Sequence, residues 1–502
     1  MPTLLGVLAL FLWEIMANKG IKQIKIPIRK KDLTIEKVEP YLDTIFNDFV
    51  DNAKKIRDYY DFYCLNHPIL EKVRLHEDSS TNSIVLIPDL KAMVDWKTGY
   101  VFGNPIKYAQ NKSTDTNDIE FLNKYVRNVC QRSVDKEVGK WAYATGVGYY
   151  FIEPKSEDFD IRTQAPYEVY CREADTCAKI YSSFGGNKPL FDLLYTTYEE
   201  ITQETIKKTV KVLDIYLPNN LYTYEKRDLD KWTLVKKEER GLYQHLPLVE
   251  KRVNTDGIGI VAMGESLQNA LDQIISDSLD NINDVVNEVW IYYNILLGNN
   301  SEEQAKTHRE AKKNGAIQAI STNEKMQPKI ETISTKLDLA SIREIFTILN
   351  EKFHASLGVP MEMSNTNSGG TTKQGSEVAN GYDNAYNRAL DDINSFIKAD
   401  TELLEKIMWI CQNTPNNKVD NIAPSEIEIK YSLNLTDNIL TKTQSFVNLI
   451  SVGVPPSMAL KLCRLSNDPE AEGKIIEENI ARKKAEDLAL QKQQNNGNNS
   501  QE

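Results

Sequence analysis

The chain has 502 residues, 41% of them hydrophobic, and a formal net charge of −12. That is enough apolar material for a sizeable core in roughly two to four domains. The acidic balance argues against a protein that grips nucleic acid by neutralising many phosphates, and does not exclude one that nucleic acid passes through. Six cysteines (Cys64, Cys130, Cys171, Cys177, Cys411, Cys463) stand apart, with no C-x-x-C pair and no histidine at zinc spacing. They read as buried thiols in a reducing compartment, with no metal and no cofactor expected.

Thr3 to Trp13 is almost wholly apolar, yet shorter than the about 20 residues a bilayer span needs. No Lys or Arg precedes it as a secretory signal requires. Met16-Ala-Asn-Lys has the form of an ordinary cytosolic start, so residues 1–15 are expected to be an upstream extension of the reading frame, the alternative being a hydrophobic arm. No membrane partner is expected.

From Leu33 to Tyr60, Ile35, Val38, Leu42, Ile45, Phe46 and Val50 recur at helical spacing and predict an amphipathic helix that docks on a larger body. Helical patterns follow near Pro88–Val101 and Asp115–Tyr143. The period then changes. Runs rich in Val, Ile, Tyr, Thr and Phe predict a mostly antiparallel β region: Tyr149–Ile152, Tyr167–Cys171, Leu190–Tyr198, Val210–Leu217, Leu221–Tyr224 and Trp232–Val235.

After Asp256-Gly257 the spacing of Leu267, Leu271, Ile274, Ile282, Val285 and Val289 predicts one long helix, Gly264 to Leu297, about 50 Å at 1.5 Å per residue. A rod of that length fits a subunit packed against copies of itself better than a compact enzyme. An insertion, Ser301 to Thr335, mixes a charged helical piece (Glu302–Lys313) with strands expected around Gly315–Ile320 and Lys329–Ile333. A second helix is expected from Leu337 to Gly358-Val359-Pro360, then a polar loop, Ser364–Ser376, and a third helix from Val378 to Cys411. A strand near Glu426–Tyr431 returns to the β region. The rest reads as helical up to a Gln/Asn-rich end, 491–502, expected to be disordered.

The motifs carry little chemistry. Gly370-Thr-Thr-Lys-Gln-Gly-Ser376 has its lysine before the last glycine and follows a helix, so it is not a phosphate-binding P-loop. Gly257 to Gly264 has the wrong spacing for a dinucleotide fingerprint and reads as a joint before a helix. Asp277, Asp280, Asp284 and Glu288 share an arc of about 80° on the first long helix. The plain reading is a solvated face; the sharper ones are a channel lining that repels phosphate, or the carboxylates of a metal-dependent nuclease or nucleotide hydrolase. The five histidines are isolated in sequence, which lowers the odds of an enzyme.

In its order of elements the chain resembles the portal proteins of tailed double-stranded DNA bacteriophages, particularly those of long-tailed phages of Gram-positive hosts. Tyr100-Val-Phe-Gly-Asn-Pro-Ile106, Tyr143-Ala-Thr-Gly-Val-Gly-Tyr149 and His245-Leu-Pro-Leu-Val-Glu250, with Asn254 following, look like local pieces of that family. The resemblance runs from about Leu33 to Leu488.

That resemblance implies an α+β, mainly helical, portal-like fold. It would consist of an N-terminal arm (1–32), a mixed α/β wing (33–263), a stem helix (264–297), a small α/β clip (298–335), a second stem helix (336–357), a tunnel loop (358–377), a long wing helix with a returning strand (378–432), a helical crown (433–490) and a tail (491–502). It implies a homo-oligomeric ring, typically of twelve subunits, at a capsid vertex, with no enzymatic activity of its own. Expected partners are other copies of the chain, double-stranded DNA in the channel, the terminase large subunit, a head-tail connector protein, and the major capsid and scaffolding proteins. The DNA-facing residues would be Asn365, Asn367, Ser368, Thr371, Thr372, Lys373 and Gln374. Asp277, Asp280, Asp284 and Glu288 would line the channel, and Glu302, Glu303, Lys306, Arg309, Lys312 and Lys313 of the clip would face the motor and connector.

Overall fold

The computed structural model describes residues 19–73, 82–110, 117–155, 160, 164–201, 207–227, 230–241, 243–286, 289–293, 301–304, 306–307, 329–333, 339–360, 375–415, 419, 422–434, 439–463, 465–466, 469 and 472–483. Residues 1–18, residues 364–374 of the expected loop, the expected strand at 315–320 and the expected tail at 491–502 lie outside them.

Among the described residues the first strand is β1 (Ile24–Ile26). The helix expected over Leu33–Tyr60 is interrupted: α1 (Ile35–Val38) runs into a 3-10 turn at Glu39–Tyr41, and α2 (Leu42–Tyr63) follows. Pro40 has no N–H to donate, and its ring crowds the preceding turn. Next come α3 (Asp89–Phe102) and β2 (Lys107–Gln110). In place of one helix over Asp115–Tyr143 there are two, α4 (Asn117–Asn128) and α5 (Gln131–Thr145), because Cys130 between them adopts a φ of 54°. A left-handed residue of this kind cannot continue a right-handed helix.

All six expected strand runs are strands. They belong to β3 (Val147–Pro154), β4 (Tyr167–Arg172), β6 (Pro189–Ile201), β7 (Lys207–Tyr216), β8 (Asn220–Arg227) and β9 (Thr233–Glu239), joined by β5 (Cys177–Ser182) and β10 (Leu248–Arg252), which the period-two pattern does not mark. Then follow α6 (Ile260–Val286), β11 (Val289–Tyr293), β12 (Lys329–Ile333), α7 (Leu339–Leu357), α8 (Gly375–Asn413), β13 (Ile427–Lys430), α9 (Ile439–Ser451) and α10 (Pro456–Cys463).

One boundary needs correction: the long helix expected to reach Leu297 ends at Val286, and Val289-Trp-Ile-Tyr-Tyr293 pairs antiparallel with β12, Val289 opposite Ile333 and Tyr293 opposite Lys329. β-branched and aromatic residues suit a pleated, paired surface, and the partner strand lies about forty residues on, out of reach of any local periodicity. The helix is therefore about 40 Å long. The cysteine expectation also needs correction: Cys177, Cys411 and Cys463 are buried, but Cys64 and Cys130 are exposed.

The chain divides into two compact units. One comprises Met1–Lys19, Lys55–Met93 and Ile258–Arg388; the other comprises Gly20–Lys54, Val94–Gly257 and Ala389–Glu502.

In the first unit α6 packs on α7. Gly264 is a point of close approach, where an added Cβ would stand 2.8 Å from Phe353 and 2.6 Å from Leu90. Gly358, with a φ of 67°, ends α7 as the expected stop.

The second unit is built on a six-stranded sheet in the order β1-β5-β6-β7-β8-β9, antiparallel except for the parallel pair β1 and β5. Ile45, Phe46 and Phe49 at the start of α2 pack with Ile180, Phe191, Leu213 and Tyr224 of this sheet, so the predicted amphipathic docking is present. A second core joins Leu403, Leu404, Ile407 and Met408 of α8 to Leu122, Tyr150, Tyr167 and Val249. Small sheets, β10-β3-β4 and β13-β2, complete the unit.

Candidate functional site

In the first unit α6 buries a row of polar side chains as deeply as its apolar Val261 and Leu271. Gln268, Asp272 and Ser276 are completely shielded from solvent, while Leu279 and Ile282 stay well exposed. Gln268, Asp272, Ser276 and Asp280 advance by four residues and so form one row along the helix. Against that row lies the extended segment preceding α3. The N–H groups of Ser83, Val85, Ile87 and Leu90 donate to Asp280 (2.6 Å), Ser276 (3.0 Å), Asp272 (3.0 Å) and Gln268 (3.0 Å). Gln268 Nε2 returns a bond to the Ile87 carbonyl at 2.8 Å. Asp280, Ser276 and Asp272 thus take the alternate amides of Ser83, Val85 and Ile87 as a β-partner would, and Gln268 takes the Leu90 amide in the first turn of α3.

Lys72 closes the far end. Its ammonium donates to Asp277 and Asp280, at 2.8 Å each. Burial alone would lower it, but the hydrogen bonds and attraction of the two carboxylates outweigh that and raise it. Burial likewise opposes the ionised Asp280, and Lys72 and Ser83 together hold its carboxyl below the usual range.

Two of the four carboxylates of the expected acidic row are therefore occupied within the chain. Asp284 lies on α6, but its side chain and all of Glu288 fall outside the described residues. So do Asn365, Asn367, Ser368, Thr371, Thr372, Lys373 and Gln374 of the expected DNA-facing loop, and Arg309, Lys312 and Lys313 of the clip. Glu302, Glu303 and Lys306 are exposed on a short helical stretch.

Sequence reasoning missed the Gln268-Asp272-Ser276 row because it searched for apolar periodicity. Polar residues at a spacing of four, flanked by a helix's own apolar positions, were the available signal.

The second unit contains two ionic clusters built on buried lysines. Lys251, fully buried, lies 2.7 Å from Asp400 and donates to Tyr150 at 3.0 Å and Tyr431 at 3.1 Å. The rings of Phe102, Tyr150, Phe396 and Tyr431 surround it at 4.9–5.8 Å. Its three protons are thus all used. Tyr150 in turn donates to Asp135, whose carboxyl burial pushes up to about 7 against the pull of Lys251.

In the other cluster Glu402 bridges Lys179 at 2.5 Å and Lys406 at 2.8 Å. Burial opposes its charge, yet the two lysines hold it down to about 2. Burial, then repulsion from Lys179, takes Lys406 down to about 8. Lys251, Asp400, Lys179 and Lys406 are shielded from solvent, while about a third of the Glu402 side chain is exposed, and the ion pairs tie β5, β10 and α8 together. Among the described residues no group of three or more His, Cys, Asp or Glu is placed to hold a metal ion.

A model of a protein family, the phage portal proteins of the SPP1 Gp6-like type, matches residues 40–497. The chain belongs to that family. Among curated relatives, the portal protein of Bacillus phage SPP1 is 24% identical over 261 residues, which is 49% of this chain and 46% of that protein. The chain thus spans about half the length of this relative. A chain in the solved structure described as the neck of an empty GTA particle, computed with C6 symmetry, is 11% identical and overlaps at a TM-score of 0.38, covering 74% of this chain and 88% of that one. Family membership agrees with the mixed α+β architecture described above. The metal-dependent nuclease or hydrolase alternative is not supported by this family membership.

Proposed function

We propose that the chain is the repeated subunit of a portal ring at one capsid vertex, through which double-stranded DNA is packaged and later ejected. The observation that carries this reading within the family is an uncovered apolar face in the first unit. Leu279 and Ile282 of α6 are each 39% exposed, and Ile345 and Ile348 of α7 are 51% and 49% exposed. Large aliphatic side chains in two neighbouring helices are the kind of surface that a second copy covers in a closed ring.

In this reading α6 and α7 are the stem. The β11–β12 pair with residues 301–307 belongs to the clip that receives the terminase motor and then the head-tail connector. The segment from Asn365 to Gln374 faces the DNA, with Lys373 as its cation. The ring works without its own nucleotide hydrolysis, as a passage and a docking platform. Its place is the capsid vertex of the virion, and during assembly the host cytoplasm, where scaffolding and major capsid proteins would meet it. Among the described residues no helix is long and apolar enough to cross a membrane.

Electron microscopy of the purified protein, paired with its mass in solution, tests the reading. Rings with a central hole are expected. Monodisperse monomers across a range of salt concentrations would remove it.

A further inference from the structure

An acidic chain carries one strongly basic segment. Between residues 19 and 31 stand Lys19, Lys22, Lys25, Arg29, Lys30 and Lys31, with no carboxylate among them. The isoleucines of this stretch, Ile24, Ile26 and Ile28, are buried, and β1 pairs in parallel with β5, Ile24 opposite Ile180 and Ile26 opposite Ser182. That anchoring fixes where the cations emerge. Ser182 Oγ donates to the Ile28 carbonyl at 2.7 Å, and the Ser183 N–H donates to the Ile26 carbonyl at 2.9 Å.

Arg29, Lys30 and Lys31 are thereby held against the turn that joins β5 to β6, and together with Lys188 of that turn they line an open cavity of about 730 Å³. Ser182, Phe184 and Gly185 complete its wall. All four cations are exposed, and none is ion-paired with a carboxylate among the described residues.

We infer that this cavity binds the phosphodiester backbone of nucleic acid. Arg29 and the three lysines supply concentrated positive charge, and a guanidinium matches phosphate oxygens in pairs. The turn lets a ligand come close to the backbone: Gly185 and Gly186 have φ values of 63° and 85°, with open space where a side chain would stand. Phe184 is 47% exposed with Arg29 5.3 Å from its ring centroid. An aromatic face beside a guanidinium offers stacking to a base and nothing comparable to an acidic peptide, which favours nucleic acid over a carboxylate-rich protein segment. The net charge of −12 conceals the site because the cations are concentrated in one place.

The inference does not depend on the portal reading, since the cavity lies within one unit of one chain. The test is fluorescence anisotropy of the full-length protein with a labelled 20-base-pair duplex, a 20-nucleotide single strand and a poly-glutamate peptide, each at low and at moderate salt. Wild-type protein is expected to bind nucleic acid with a log–log salt slope of about −3, matching three or four released counterions.

Arg29→Glu combined with Lys188→Glu should weaken that binding tenfold or more and flatten the slope. Lys188→Gln alone, at the exposed turn, should show a smaller loss in the same direction and keeps the test usable if the double variant misfolds. Phe184→Ala separates the two nucleic-acid forms, weakening the single strand if bases stack and leaving the duplex unchanged if only the backbone is held. Binding that is indifferent to both charge changes, or poly-glutamate bound as tightly as either oligonucleotide, overturns the inference. Monomers in the microscope together with charge-dependent DNA binding would remove the ring and leave this site standing.

Discussion

His67 Nδ1 lies 2.6 Å from Asp272 Oδ2, with both side chains shielded from solvent. The imidazole stacks on Phe62 at 4.0 Å between centroids, and the other carboxylate oxygen of Asp272 accepts from the Ile87 N–H and from Gln268. One carboxylate therefore joins the segment after α2, the extended segment before α3, and α6.

Replacing Asp272 with Ala should cost about 3–5 kcal/mol, because it leaves a buried imidazole and a buried amide without partners. Denaturant unfolding measures this. A loss under about 1 kcal/mol would mean that water replaces the carboxylate and that the three-way joint is unimportant.

Lys72→Met leaves Asp277 and Asp280 facing each other without their cation. Asp277 is substantially exposed, so solvent screens much of the effect and about 1–2 kcal/mol is expected. Hydrogen exchange should rise first at Ser83 and Val85, next to the lost contact, and less at Leu90. Uniform acceleration along 82–90 would show that the row does not open from that end.

In the second unit Lys251→Met is expected to cost about 3–5 kcal/mol by stranding Asp400. Adding Asp400→Asn should recover a large part of that loss, because the orphaned charge is then gone. If the double variant is as unstable as the sum of the singles, packing of the lysine stem dominates and the ionic account is wrong.

The raised carboxyl of Asp135 gives a pH dependence with a definite sign. In the unfolded chain it ionises near its ordinary value, whereas in the folded protein burial keeps it protonated up to about 7. The unfolded state therefore releases its proton first, and stability contributed by this group declines as pH rises from about 4 to about 7. Asp135→Asn should abolish that part of the decline and make the protein relatively more stable at pH 8 than at pH 5. Thermal unfolding across pH reads the difference, and parallel profiles for the two proteins would contradict it. Glu402, held down to about 2, acts oppositely: its stabilisation is complete above the ordinary glutamate range and is lost as pH falls toward 2.

For assembly, Ile345→Glu with Ile348→Glu should convert rings to smaller species while leaving circular dichroism and thermal unfolding nearly unchanged. Exposed positions that contribute little to the monomer fold tolerate a charge, but an interface that buries them does not. Intact rings from this variant would place the intersubunit contact elsewhere.

How much of this was legible beforehand follows from the range of the interactions. Local rules sufficed for the strand runs between Val147 and Glu239, the stop at Gly358 and the amphipathic start of α2, since alternation, turn residues and helical spacing act within a few positions. They failed at Val289–Tyr293, whose partner strand is Lys329–Ile333, and at β1, where three residues pair with a strand about 150 positions away.

The candidate sites divide in the same way. The acidic row on α6 was visible from its spacing, but only the folded chain showed Lys72 and Ser83 occupying Asp277 and Asp280. The cations of 19–31 were readable as letters, yet their cavity exists because the β5–β6 turn brings Lys188 and Phe184 to them. Sequence by itself determined the fold class and the amphipathic start of α2 through repeating local pattern, and pointed to the family through the order of its elements; the apolar row read on α6 failed, since Ile282 is exposed and Gln268, Asp272 and Ser276 are buried instead. Tertiary structure decided which charges are spent inside the chain and which remain for a partner, because pairing and desolvation depend on neighbours that chain order does not reveal.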